Sequence, residues 1–161
     1  MKLPLRELHR AESSLARFLY ELSDRHRAEH EVHHVARDLA EWSREHVRDL
    51  AEAGNRYGLS LRAGAPASSG PLAPARRKVS ELTGRRPEPG LLLLADLRRL
   101  HRRTAGVSLD WELLAQGAQA VKDRDLLELA QRDHPQTLRQ LKWSNAMLKT
   151  LSPQVLATLS A

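Results

Sequence analysis

The chain contains no cysteine among its 161 residues, and only 4% of them are aromatic. The absence of cysteine excludes disulfide bonds, thiolate metal ligands and thiol nucleophiles. The scarcity of aromatic residues, combined with an abundance of alanine and leucine, favours helices packed on helices over a β-sheet. We therefore predict an all-α fold.

Long hydrophobic runs are also missing. The longest block of large aliphatic residues is Leu91 to Leu94, whereas a membrane-spanning helix needs about 20 apolar residues. The amino-terminal residues become charged before any apolar stretch forms, so we predict no signal peptide. We expect a cytoplasmic protein without membrane contact, folded as a single domain over residues 1–161.

The sequence does contain a strong helical periodicity. Apolar residues recurring at intervals of three and four predict helices of about 4–24, 29–53, 91–122 and 126–151. The third of these has the most regular spacing, and its predicted core residues are Leu93, Leu97, Leu100, Thr104, Val107, Trp111, Leu114 and Ala118. In the fourth helix, Pro135 is predicted to cause a kink and Ser152-Pro153 to end the helix.

Two connections are less well defined. A continuous helix to residue 53 would span about 75 Å and could not bury both apolar stripes in a single domain, so we predict a hairpin turn between Ser23 and Glu31. Residues 54–90 are rich in Gly, Ala, Pro, Ser and Arg, which predicts a long linker. Such a linker can travel the full length of a bundle, about 35 to 40 Å, and leave the second and third helices parallel.

One histidine, His46, lies on the apolar stripe of the second predicted helix, three residues after Ser43. Glu12 lies on the buried side of the first helix. Two antiparallel hairpins joined by a long crossover, with Glu12 and Ser43-x-x-His46 in these places, resemble the ferritin-like four-helix-bundle superfamily. The resemblance implies a dinuclear metal site built from glutamates and Glu-x-x-His pairs. Ser43 stands in place of the motif's glutamate, so the motif is incomplete.

Two interpretations of these polar residues remain. One is a reduced metal site for iron, manganese or zinc, formed by Glu12, His46, Asp133 and His134. The other is a buried polar layer of Glu12, His46, Thr104, Asp133 and Thr137, in which His46 donates to a carboxylate. Glu12 and His46 lie level only if the first turn is centred near residue 29. We favour the polar layer, without a resident cofactor, and the incomplete motif argues against an enzyme.

A second group of histidines surrounds the first predicted turn. His26, His30, His33 and His34 include pairs spaced four residues apart, which can bind zinc or nickel. The helical wheel places this group on the solvent-facing side or in the turn itself. We therefore interpret it as a surface histidine cluster that binds metal only adventitiously.

The positive charge is concentrated in one region, residues 76–103. This region carries three acidic residues and nine basic ones, and its net charge of +6 equals that of the whole chain. The basic residues are Arg76, Arg77, Lys78, Arg85, Arg86, Arg98, Arg99, Arg102 and Arg103. A cluster of this kind suits phosphate or an acidic partner surface, although a solvated helix face has the same composition.

Three classes of function fit these features. The first is a non-catalytic association or scaffold protein, acting as a homo-oligomer or with a protein partner, for example through the face around Trp143. The second is a ferritin-like metal-binding oxidoreductase or storage protein with a reduced site. The third is a nucleic-acid or acidic-surface binder that uses the arginine cluster of residues 76–103. We favour the first class.

Overall fold

A computed structural model describes residues 1–64 and 88–159 of the chain. Four helices and no strand are present in these residues: α1 (Lys2–Arg25), α2 (His30–Arg56), α3 (Pro89–Ala120) and α4 (Arg124–Leu159). The predicted all-α fold is confirmed, and the predicted helices overlap the observed ones. The assignment of residues 1–161 to a single domain stays a prediction.

The end of the last helix was predicted wrongly. Helix α4 does not stop at Ser152-Pro153 but continues to Leu159, with both Pro135 and Pro153 inside it. A proline removes one helical hydrogen bond, yet tertiary contacts can hold the helix together beyond it. Here Val155 packs so close to Gly90 that a Cβ at Gly90 would lie 2.9 Å from its methyl groups. The last turns of α4 therefore rest on the beginning of α3.

The helices form two antiparallel pairs, α1 with α2 and α3 with α4, which also contact each other through α1 with α3 and α2 with α4. The relative directions of the helices follow from contacts between α1 of one pair and α3 of the other. The start of α1 meets the end of α3 where Met1 reaches Gly117, and its end meets the start of α3 where Arg25 reaches Asp96. Since α1 is antiparallel to both α2 and α3, the latter two run parallel, diagonally across the bundle.

This arrangement places the end of α2 and the beginning of α3 at opposite ends of the bundle. Gly58, just after α2, lies near Lys2, whereas the start of α3 lies near the turn between α1 and α2. Residues 65–87 lie outside the described part of the chain, so the predicted crossover over residues 54–90 stays a prediction.

The first turn occupies residues 26–29, between α1 and α2. His26 continues the helical pattern by donating its backbone N–H to Leu22, and the backbone N–H of Glu29 then donates to His26. Glu29 has an extended conformation, which starts α2 in a new direction. A turn at this position brings Glu12 level with His46, as the second of the two sequence interpretations requires.

The predicted core of α3 is buried at all eight positions, from Leu93 to Ala118. In α2 the apolar spacing predicts a buried face of Val32, Val35, Leu39, Trp42, His46 and Leu50, and the observed face is rotated from it. Val35 and Trp42 are only half-buried, whereas small residues beside them, including Ala36, Ala40 and Ser43, are fully buried. Small side chains allow α1 to approach α2 closely, and this contact decides which side of α2 faces inward. Across the described ranges, no helix is both long and apolar enough to cross a membrane.

Candidate functional site

A buried carboxylate, Glu12, lies at the middle of the bundle. The regular leucine spacing of α1 turns this position inward, and the residue is completely buried. Its Oε1 atom accepts hydrogen bonds from three other helices: from His46 Nδ1 at 2.8 Å, Trp111 Nε1 at 2.8 Å and Thr137 Oγ1 at 3.3 Å. One oxygen atom of Glu12 therefore ties α1 to α2, α3 and α4.

His46 bonds to oxygen atoms through both of its ring nitrogens. Nδ1 faces the carboxylate of Glu12, and Nε2 lies 2.9 Å from the amide oxygen Oε1 of Gln136. Both partners accept hydrogen bonds, so both ring nitrogens can donate only if the imidazole is protonated. The ring also packs edge-on against Trp111, with centroids 5.5 Å apart.

The electrostatic surroundings of His46 agree with this protonation. Burial opposes the charged imidazole and would lower its pKa, but the surrounding polar groups together outweigh that effect, and the hydrogen bond and charge of Glu12 are the largest of them. The charge of Asp133 and the hydrogen bond to Gln136 act in the same direction as Glu12. The pKa of His46 is therefore raised above its ordinary value of 6.5. Glu12 and His46 form a buried ion pair.

The polar layer continues one turn further between α2 and α4. The side-chain amide nitrogen of Gln140 donates to the hydroxyl of Ser43 at 3.0 Å and to the backbone oxygen of Leu39 at 2.9 Å. Ser43, the residue in place of the expected glutamate, is thus a hydrogen-bond acceptor in a fully buried position. Next to this layer, Asp133 is paired with Arg132, which also bonds Asp49 on α2.

Three buried polar atoms of this region have no hydrogen-bond partner among the described residues: Glu12 Oε2, Gln140 Oε1 and Trp143 Nε1. An unpaired buried polar group costs free energy of about 1–3 kcal/mol, which a bound water recovers where space allows. Glu12 Oε1 therefore has its full set of hydrogen bonds, whereas these three neighbouring polar atoms have none within the described residues.

The four proposed metal ligands are not gathered at one point. Glu12 and His46 bond to each other, and Asp133 is held by Arg132. His134 lies on the side of α4 that faces α3, where Nε2 is 2.8 Å from the hydroxyl of Ser108. Within residues 1–64 and 88–159, no group of three or more His, Asp or Glu side chains is arranged to hold a metal ion.

All five residues of the predicted polar layer are buried, but one of them does not bond to the others. Thr104 donates its hydroxyl to Leu100 of its own helix, at 3.0 Å. Sequence reasoning missed the donor role of Trp111, which was assigned to packing alone, and the roles of Gln136 and Gln140. A signal was present for Gln140, since it lies three residues beyond the predicted core position Thr137 and four before Ser144.

The predicted surface histidine cluster is not a single group. His26 is buried, with 7% of its surface exposed, and its Nε2 lies 2.9 Å from Asp96 Oδ2 on α3. The prediction of a surface position was therefore wrong for His26, because the turn folds this residue inward over the start of α3. His33 bonds Ser23, while His30 and His34 remain exposed with ring centroids 4.4 Å apart.

Asp96 forms a second buried cluster at this end of the bundle. Its Oδ2 atom bonds both His26 and Arg25, the latter at 2.6 Å, and its Oδ1 atom lies 3.7 Å from Arg99. Burial by itself would raise the pKa of Asp96, but the hydrogen bonds from His26 and Arg25 outweigh it. The pKa of this carboxyl is held below its ordinary value of 3.8.

Five members of the predicted basic patch, in residues 76–86, lie outside the described part of the chain. The other four are on the first half of α3 and are exposed. Arg103 donates to the hydroxyl of Ser14 at 2.9 Å, and its guanidinium group lies 4.8 Å from the ring centroid of Phe18. Arg99 approaches the same ring at 6.0 Å. These two arginines are therefore held against α1, with Arg99 still 58% exposed.

Comparisons with protein-family models, with curated proteins and with solved structures found no match to this chain. The function is therefore inferred from the geometry of the site.

Proposed function

We propose that this protein is a non-catalytic helical bundle that acts by association, and that its central polar layer is a structural element. One observation carries this proposal: both ring nitrogens of His46 are bonded to oxygen acceptors. A metal ligand needs a free nitrogen lone pair, which a doubly protonated imidazole does not have. The position that resembles a ferritin-like ligand is thus occupied by a hydrogen-bond donor.

The other residues of the layer support the same conclusion. A ferritin-like dinuclear centre requires about four carboxylates, which balance the charge of two divalent ions. Here Glu12 is the one carboxylate bonded to His46, Ser43 replaces the motif's glutamate, and Asp133 is neutralised by Arg132. The residues present do not fit a dinuclear centre of this type.

The layer instead suits the task of fixing how the helices align. Sliding α1 by one turn relative to α2 would move Glu12 about 5.4 Å from His46 and leave a buried charge unpaired. An unpaired buried charge costs several kcal/mol, so alternative alignments are strongly disfavoured. A rigid bundle with one alignment presents its outer faces in a constant arrangement, which suits a protein that acts through its surface.

Metal analysis of the protein, purified without a histidine tag and dialysed against iron, manganese and zinc in turn, tests this proposal. We expect less than one tightly bound ion per chain after removal of free metal. The matched control is a His30→Ala/His34→Ala variant, which eliminates binding by the exposed histidines. One ion per chain that survives in this control and disappears in His46→Ala would overturn the proposal.

A second candidate function is binding to nucleic acid, and the observation that favours it is the exposure of Arg98 and Arg102. Neither side chain has an ion-pair or hydrogen-bond partner in the described ranges, so both are free to meet phosphate. This candidate is tested by retention of the protein on immobilised DNA at low ionic strength. Retention that decreases as salt increases, and that is weaker in Arg98→Ala/Arg102→Ala, would support it. No retention at low ionic strength would exclude it.

A further inference from the structure

The charges of α3 are separated along the helix, with Gly106 at the boundary. All four arginines of this helix lie before Gly106, at positions 98, 99, 102 and 103, and the one acidic residue in that half, Asp96, is buried and faces the bundle. After it come two acidic residues, Asp110 and Glu112, and no basic ones. An antiparallel copy of this helix would therefore place its acidic half opposite the basic half of the first, and the reverse.

Asp110 is a half-buried carboxylate with no cation beside it. In the described part of the chain it has no ion pair or hydrogen bond, and the charged groups that act on it are those of Glu7 and Glu12. Burial, and then these two negative charges, raise the pKa of Asp110 above its ordinary value of 3.8. The described residues thus leave this carboxylate uncompensated, in a position where an additional cation would be stabilising.

The same face of α3 contains exposed leucines and an unexplained glycine. Leu109 and Leu113 are 66% and 65% exposed, although both belong to the interior of a long helix. Apart from the backbone of its own helix, no atom of the described residues lies within 4 Å of the place where a Cβ of Gly106 would be. Glycine in a helix interior costs about 1 kcal/mol relative to alanine, so Gly106 does not serve the stability of this helix. It does allow another backbone to approach closely.

We propose that two copies of the chain associate through this face, with their α3 helices antiparallel and crossing at Gly106. Around a two-fold axis, Asp110 of one copy lies opposite Arg99 and Arg103 of the other, and each such contact occurs twice. Leu109 and Leu113 become buried between the copies, with the aliphatic part of Arg102 over Leu109. The occupant is a second copy because one face supplies both members of each charge pair.

The arginines that face Asp110 in this arrangement are already positioned for it. Phe18 on α1 lies beneath the guanidinium groups of both Arg99 and Arg103, and Ser14 accepts a hydrogen bond from Arg103. Contact with an aromatic ring leaves the guanidinium N–H groups able to donate outward. Less conformational entropy is therefore lost when these two side chains bind a carboxylate.

This inference deepens the proposed association function and rests on it. Sedimentation of the full chain over a range of concentrations is expected to show a species of twice the 18.2 kDa chain mass. Asp110→Arg and the double variant Arg99→Glu/Arg103→Glu should each weaken this dimer by more than about tenfold, because each creates like-charge contacts across the axis. A mixture of the two variants should dimerise again, since both pairs are then attractive.

Two further variants control for effects on folding. A Cβ at residue 106 meets no described atom of another residue within 4 Å beyond the local helix backbone, so the Gly106→Leu monomer should keep its helical circular dichroism and at least the thermal stability of the wild type, while the dimer is lost. Arg139→Glu reverses an exposed charge on α4 and should leave the dimer unchanged. The α3 interface is supported if the mixture of the two charge variants forms the dimer again and Arg139→Glu dimerises like the wild type.

Other outcomes overturn the pairing. A monomer at all concentrations, a dimer insensitive to Gly106→Leu, or variants that fail to dimerise when mixed would each do so. Arginine variants that lose retention on DNA without any change in sedimentation would assign this face to nucleic acid instead. Failure here is distinct from failure of the proposed function. A dimer that forms through another face leaves that function intact, whereas the metal analysis tests the function independently.

Discussion

The bundle contains two buried histidine–carboxylate pairs, and they differ in how each carboxylate is compensated. At mid-length, Glu12 has one cationic partner, His46, and its other donors are neutral. At the end of the bundle, Asp96 has His26 and Arg25 on the same oxygen. The first pair is sealed from solvent by four helices, whereas Arg25 of the second is 39% exposed.

This difference determines whether the loss of one partner leaves the other buried group without compensation. In the central pair Glu12 is the carboxylate bonded to the histidine, and its hydrogen bond and charge raise the pKa of His46, with Asp133 and Gln136 acting in the same direction. In the terminal pair the hydrogen bonds from His26 and Arg25 act against burial and lower the pKa of the carboxyl, so Asp96 keeps one partner if the other is lost. The central layer should therefore behave as an all-or-none unit, and the terminal cluster as a redundant one.

The largest expected effect is that of His46→Leu. This change leaves Glu12 buried without a cation, and we expect a loss of about 3–5 kcal/mol in the free energy of unfolding. The double variant Glu12→Leu/His46→Leu removes both charges and should recover a large part of the loss. Urea unfolding followed by circular dichroism measures both. Equal destabilisation in the single and double variants would show that the ion pair does not govern stability here.

A smaller effect is expected for Asp96→Asn at the end of the bundle. The change removes the charge that both His26 and Arg25 meet, but Arg25 is partly exposed and can turn into water, and the amide oxygen of asparagine can still accept a hydrogen bond from His26. We expect a loss of about 1–3 kcal/mol by the same unfolding measurement. A loss as large as that of His46→Leu would contradict the distinction between the two clusters.

The contributions of the two clusters to folding stability should also be lost at opposite ends of the pH range. Since folding raises the pKa of His46, its contribution is fully present below pH 6.5 and is lost as pH rises through the folded-state pKa. Over that range the free energy of unfolding falls by at most about 1.4 kcal/mol per pH unit. Folding lowers the pKa of Asp96, so its contribution is present above pH 3.8 and is lost as pH falls further.

The contribution of His46 is isolated by comparing the wild type with His46→Gln. The free energy of unfolding of both proteins is measured between pH 5.5 and 8.5. His134 contributes with the opposite sign, because burial lowers its pKa, but it is present in both proteins and cancels. The difference between the proteins should shrink as pH rises. A difference that stays constant would mean that folding does not shift the pKa of His46, and a difference that grows with pH would mean that the imidazole is neutral in the folded protein.

The smallest effect is expected for Arg25→Ala. Its side chain is partly exposed, and His26 still bonds Asp96 after the change, so we expect a loss of at most about 1 kcal/mol. Arg10→Ala is the matched control, since Arg10 forms an exposed ion pair with Glu7 and should contribute less. A loss from Arg25→Ala that exceeds the loss from Asp96→Asn would refute the redundancy of the terminal cluster.

Several features of the fold could be predicted because they depend on local periodicity. The core of α3 follows directly from apolar residues at intervals of four and three, and all eight positions are buried. The end of α4 could not be predicted in this way. Pro153 is a stop signal in an isolated helix, and the contact of Val155 with Gly90, which involves residues 65 positions apart, outweighs that signal.

The candidate site shows the same division. Glu12 and His46 were identified from their positions on apolar stripes, and the sequence left two possible partners for them, a metal ion or each other. Their bond required the turn at residues 26–29, which sets how the two helices align. The partners contributed by α3 and α4, Trp111 and Gln136, could not be identified, because helical periodicity carries no information about which residues of different helices lie level.

The sequence by itself determined that this protein forms long amphipathic helices, and that a glutamate and a histidine face inward at their centres. These properties are local: they follow from side chains three and four residues apart on one helix. Only the tertiary structure decided that both ring nitrogens of His46 meet oxygen atoms of other helices, and that His26 is buried against Asp96. Hydrogen bonds between helices depend on alignment within about 1 Å, and that alignment is set by packing over the whole bundle.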